Sequence, residues 1–237
     1  MESFWRRLRY YGLGFGLGLI LTFGIFNTRG CSWMPANRVK ESFESRIWLM
    51  DAQQKNAFFK QNHFTENSFY HAIQNAEVYF TKSKRHGKHK IYVLQITNKK
   101  GKKIPLLAKC TDESFVIDFI PYRNNWKRYV KQKDKAKFGS IIRLPKQKNL
   151  FYIPEERALQ NQFAALQINN GTTLNTLLKK SAFDHALSNL KATPKPLHVF
   201  RLHLPQAPDA VFLTYCVWYK DKAKIVALRS QTTDELR

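Results

Sequence analysis

Cysteine is scarce in this chain: three residues in 237, none in CxxC spacing. That excludes a disulfide-built scaffold and a cysteine-rich zinc module. Glycine is little commoner, and five of its ten residues (Gly12, Gly14, Gly16, Gly18 and Gly24) crowd into the N-terminal stretch. Acidic side chains are also few, with 17 Asp and Glu against 40 Lys and Arg, for a net charge of +23. So one-sided a balance implies an anionic partner: nucleic acid, phospholipid or an acidic glycan. No glycine-rich nucleotide loop and no metalloprotease motif is present. Intrinsic disorder is excluded too, because 43% of the residues are hydrophobic and 14% aromatic, enough for one medium domain or two small ones with real cores.

One uncharged run stands out, Tyr10 to Phe26, preceded by Arg6, Arg7 and Arg9 and closed by Asn27, Thr28 and Arg29. As a helix it would span roughly 25 Å, at the short end for a membrane crossing. The run reads as a transmembrane helix over 10–26 behind a basic tail over 1–9, with Trp5 and the tyrosines at the interface. The flanking charge favours a single-pass protein of the bacterial cytoplasmic membrane, N-terminus cytoplasmic and body outside. Two other readings compete: a cleaved signal peptide, for which no small-x-small site follows Phe26, and a lipidated Cys31, for which Arg29 is a poor neighbour. Gly12 with Gly16, and Gly14 with Gly18, have the small-xxx-small spacing that lets a partner transmembrane helix or a second copy approach closely. Glycine is also common in membrane helices for reasons of composition alone.

Beyond the run, Val39, Phe43, Ile47 and Met50 recur at helical spacing. Asp51 can cap a second helix carrying Ala57 and Phe58, and Thr65 a third carrying Phe69, Ala72 and Ile73. The period then falls to two: Lys90–Thr97, a turn at Asn98–Gly101, a return through Ile104–Cys110, and a third strand through Phe115, Ile117 and Phe119. The second half repeats this order. Pro154, Glu155 and Glu156 open a helix, and Leu197–Leu204, Ala210–Trp218 and Lys224–Leu228 read as strands. Phe58 and Phe163 lie 105 residues apart, and Leu94 and Phe200, like Cys110 and Cys216, lie 106 apart. The expected architecture is therefore α+β: the transmembrane helix, then two tandem repeats, each of helices plus a three-stranded antiparallel meander. The repeats fall at 34–120 and 151–230, with a basic connection over 121–150 and a tail over 231–237.

The segment Arg29-Gly30-Cys31-Ser32-Trp33-Met34-Pro35-Ala36-Asn37-Arg38-Val39-Lys40 resembles the N-terminus of uncharacterised, membrane-anchored bacterial domain-of-unknown-function proteins. So do Val78–Ser83 and the strands that follow, for about the first 120 residues. The resemblance implies a membrane anchor and no activity. Members of that family often carry a cysteine just before the first hairpin strand. Lys88 and His89 occupy that neighbourhood here, so no disulfide from it to Cys110 can form.

Cys110 and Cys216 share a strand face with Leu106 and Phe212 and read as inert core thiols. His86 and His89 flank Gly87 in a basic run, a poor setting for a divalent cation, and His198 and His203 have opposite strand parity. No metal, no cofactor and no enzymatic activity are expected. The best enzyme alternative, a small basic nuclease using His86 or His89, has no paired acid. The strongest signal is charge. Lys82, Lys84, Arg85, Lys88, Lys90, Lys99, Lys100, Lys102 and Lys103 form one run without an acid. Arg123, Lys127, Arg128, Lys131 and Lys133 belong to a second, interleaved with Tyr122, Trp126, Tyr129 and Phe138. A solvated coat is the ordinary fate of such runs. Aromatics among cations also suit bases or an anionic lipid interface. With a membrane tether the expected function is a cell-envelope binding or scaffold protein that meets anionic lipid or an envelope polymer. Nucleic acid is the alternative if the body faces the cytoplasm.

Overall fold

Runs of apolar residues at alternating positions dominate the chain after residue 46, and they assemble as strands of one sheet. The structure is a computed structural model and describes residues 2–29, 34–127, 138–145, 150–168, 171–204, 207–219 and 222–232. The chain divides into two compact units, Met1–Glu41 and Ser42–Arg237.

In the first unit α1 (Glu2–Arg29) is a continuous helix of 28 residues. No helix among the described residues is long and apolar enough to cross a membrane. The expected transmembrane helix, and with it single-pass topology at the cytoplasmic membrane, is thereby overturned. The reason is compositional: the uncharged core is short of the ≈ 30 Å hydrocarbon thickness, and its glycines and tyrosines add little hydropathy. A Cβ added at Gly12, Gly14, Gly16 or Gly18 would meet nothing within 4 Å. α2 (Pro35–Glu44) follows.

The second unit is built on an eleven-stranded mixed sheet in the order β2-β3-β4-β5-β1-β6-β8-β9-β10-β11-β7. The first half supplies β1 (Ile47–Asp51), α3 (Ala52–Asn62), α4 (Glu66–Gln74), β2 (Glu77–Val78), β3 (His89–Thr97), β4 (Lys103–Thr111) and β5 (Val116–Pro121). The second half supplies β6 (Phe138–Arg143), β7 (Phe151–Tyr152), α5 (Arg157–Ala165), α6 (Gly171–Lys179), β8 (Ala182–Asp184), β9 (Leu197–Leu204), β10 (Ala207–Tyr219) and β11 (Lys222–Thr232). Two separate three-stranded meanders are not what forms. The first half contributes five strands and the second six, of which β6 joins β1 to β8 so that the two sets fuse edge to edge into one sheet.

Residues 47–50 explain part of the difference. They continue the helical spacing of α2 in sequence, but all four are buried, as a strand covered on both faces requires. β1 pairs in parallel with β5 and antiparallel with β6. The segment expected as a basic connection thus holds a central strand.

Equivalent pairings recur in the two halves. Val78 pairs with Leu94 and Phe183 with Phe200, while Ile47 pairs with Val116 and Phe151 with Ala223, both in parallel. One side-chain device also recurs. Ser83 donates to the Tyr79 carbonyl at 2.7 Å and accepts from Val93 N at 2.9 Å. Ser188 donates to the Asp184 carbonyl at 2.5 Å and accepts from Val199 N at 2.9 Å. The constant 106-residue offset does not survive the hairpin. Cys110 lies opposite Lys90, whereas Cys216 lies opposite His198, because an irregularity between Ala207 and Val211 slips the register.

Following the pairings, β8 runs opposite to β2, so the second set enters the sheet turned over. The helices accordingly cover opposite faces. Phe69 of α4 packs edge-on against Trp48 and Phe119. Leu159 and Phe163 of α5 and Leu174 and Leu178 of α6 instead join a core with Ile47, Leu49 and Val116, on the alternate side of β1 and β5.

Both described thiols are free and buried. Burial pushes Cys110 up to about 12 and raises Cys216 as well. Neither forms thiolate near neutral pH, so iodoacetamide at pH 8 should leave both unmodified in the native protein and label both in denaturant. Peptide mass spectrometry checks this, and native labelling of either would contradict the packing.

Candidate basic cleft

On the first half's sheet face opposite α4, Ile91, Val93, Leu107, Ile120 and Trp126 form a small apolar cluster, with Tyr79 and Tyr122 against it. A 3₁₀ turn at Phe80–Lys82 brings the chain over this face. The Ser83 hydrogen bonds and the backbone bridge between Lys84 and Ile91 then fix it there. Between turn and cluster lies a cleft of about 640 Å3, lined by Thr81, Lys82, Ser83, Lys84, Ile91, Tyr122, Trp126 and Lys127. A second depression of about 520 Å3, lined by Asn124, Asn125, Trp126 and Lys127, adjoins it through the last two residues.

The electrostatics are one-signed. Among the described residues, no carboxylate lines the cleft. Lys55 and Lys90 are tied to Glu66 and Asp112. In contrast, Lys82, Lys84 and Lys127 have no acidic partner among the described residues. Two of them rest near aromatic rings: Lys82 Nζ lies 5.4 Å from the Tyr79 centroid and Lys127 Nζ 5.9 Å from that of Trp126. Arg85 adds a third such pair with Phe80, at 5.9 Å. Such contacts orient the cations without neutralising them.

Trp126 is only 6% exposed, so its ring is committed to the sheet as a floor. Tyr122 is half-buried and lines the opening. The two basic runs thus meet here, Lys82 and Lys84 from one and Lys127 from the other. Arg85 and Lys88 are exposed on the adjoining loop. Lys99, Lys100, Lys102 and Lys103 are not part of the cleft. They sit around the β3–β4 turn, where Asn98 Oδ1 accepts from Lys100 N and Lys102 N, at the far end of a strand roughly 30 Å long. Arg123 is exposed just after β5. Arg128, Lys131 and Lys133 lie outside the described residues.

Among the described residues, other reactive groups do not assemble around this cleft. His89 Nδ1 contacts Thr111 Oγ1 at 2.9 Å, and His86 is exposed on the loop. Two contacts join residues too far apart along the chain to be foreseen from local pattern. Ser114 Oγ meets His198 Nε2 at 2.8 Å, with the histidine fully buried. His185 Nε2 lies 3.5 Å from Asp118 Oδ1. The first pair is sealed from solvent and has no acid beside it, so it is a packing contact. The second lies over Gly139, where an added Cβ would come within 3.0 Å of the His185 ring.

No family model, curated protein or solved structure matches the chain.

Proposed function

We propose that the chain is a non-enzymatic binding protein that holds an anionic partner in this cleft. The observation that carries the reading is the convergence of three lysines, drawn from two separate basic runs, on one concavity that no carboxylate of the described residues lines. The second half offers an internal comparison. Aligned through the bridges Lys84–Ile91 and Asn189–Leu197, Leu187 and Asn189 stand where the first half has Lys82 and Lys84. The shared hydrogen-bond device forms without those lysines, so folding does not require them. With no described helix long and apolar enough to cross a membrane, the tether that ranked lipid or an envelope polymer above nucleic acid no longer carries that ranking.

Replacing Lys82, Lys84 and Lys127 together by glutamine should lower the salt concentration at which the full chain elutes from immobilised heparin. It should also flatten the dependence of log affinity on log salt by about two to three charges. Replacing Lys99, Lys100 and Lys102 removes the same charge at the other end of the hairpin and should change elution far less. Equal weakening by both triples would reduce the cleft to part of a diffuse coat.

A further inference from the structure

The chemistry of the opening narrows the partner. A purely ionic site needs no aromatic surface, yet Tyr122 lines this one and Trp126 forms its floor. We propose that the cleft binds single-stranded nucleic acid, with a base against Tyr122 and backbone phosphates on Lys82, Lys84 and Lys127; this rests on the anionic-partner reading above. A base has a π-face that stacks on an aromatic side chain whatever its sequence, and lysines beside it follow the phosphates. A duplex keeps its bases stacked on one another and cannot insert one into a recess. An acidic peptide would satisfy the lysines but leave the aromatic opening without a counterpart. The adjoining depression past Trp126 and Lys127, lined by Asn124 and Asn125, gives the strand a continuation with amide groups to meet base edges. The turned-over half again supplies contrast. In the register of β5 and β11, Arg229 stands where the first half has Tyr122, its guanidinium 5.4 Å from the Tyr215 centroid. The half without counterparts of Lys82 and Lys84 therefore has no counterpart of Tyr122 either.

The test uses the full chain and labelled probes in fluorescence anisotropy: an oligothymidine of about twelve nucleotides, an abasic phosphodiester of the same length, and a duplex of the same sequence length. The oligothymidine should bind on the order of tenfold more tightly than the abasic strand. Tyr122→Leu should erase that difference and Tyr122→Phe restore it, while the Lys82, Lys84 and Lys127 glutamine triple weakens both strands. Equal binding of the two strands by the unsubstituted chain, both lost in the lysine triple, would overturn the single-strand inference and leave the anionic cleft standing. Preference for the duplex would overturn it as well. Failure of every probe to bind at low salt would overturn both readings.

Discussion

Asp184→Ala is expected to destabilise the fold by about 3–5 kcal/mol, the usual result of removing one partner of a buried ion pair. The Asp184 carboxylate is 1% exposed. One oxygen accepts from Ala186 N and Leu187 N, both at 2.9 Å, and the other from Arg201 Nε at 2.6 Å. Truncation would strand a guanidinium that is itself only 15% exposed, together with two backbone donors. Adding Arg201→Leu should recover part of the loss, because the charge no longer lacks a partner. Urea titration of the two variants reads both effects. A loss under about 1 kcal/mol in the single variant would mean that water reaches the site.

The second large effect is acid sensitivity. His198 is enclosed between Phe115 and Phe183, and burial lowers its pKa from 6.5 to about 3. The folded protein therefore holds this imidazole neutral where the unfolded chain would protonate it. Above about pH 6.5 neither state binds the proton and the residue costs nothing. As pH falls from 6.5 toward 3 the unfolded state gains the proton first, and stability declines by about 1.4 kcal/mol per unit. His198→Leu combined with Ser114→Ala should flatten that limb without leaving Ser114 Oγ unpaired. Midpoints in urea at pH 7, 6, 5 and 4 would show it, and an unchanged slope in the double variant would assign the acid loss to other groups.

Local signals in the sequence were reliable where they concerned neighbouring residues. Asp51 does cap α3, accepting from Gln53 N and Gln54 N. Thr65 does cap α4, in a reciprocal capping box with Ser68. The hairpin of β3 and β4 turns where Asn98 and Gly101 mark it, with Gly101 at φ 76°. Periodicity misled where burial is two-sided. Ile47 to Met50 lie between two strands, and a fully buried strand shows no alternation to distinguish it from helix. Pairing across the seam was not legible, because it joins β1 to a strand some 90 residues later inside a segment whose charge suggested a linker. The membrane reading failed by a few residues of length. For the cleft, the charge was visible but its sorting was not. Only the fold shows that Lys82 and Lys127 converge while Lys99–Lys103 are carried to the other end of a strand.

The turned-over second half has a consequence for valency. Each half carries its own helices on one face, and the smaller apolar cluster on its other face looks away from the other half's: Ile91 to Trp126 on one side, Val199, Val211 and Leu213 on the other. A ligand seated on the first of these faces cannot run straight along the sheet onto the second; it would have to pass round an edge strand. Tandem halves arranged by simple translation would have formed one long platform able to hold two stretches of a polymer. Under the proposed single-strand binding, this arrangement would give each chain a single engagement, so titrations should saturate at one strand per chain, and crosslinking of several proteins along one polymer would require separate chains.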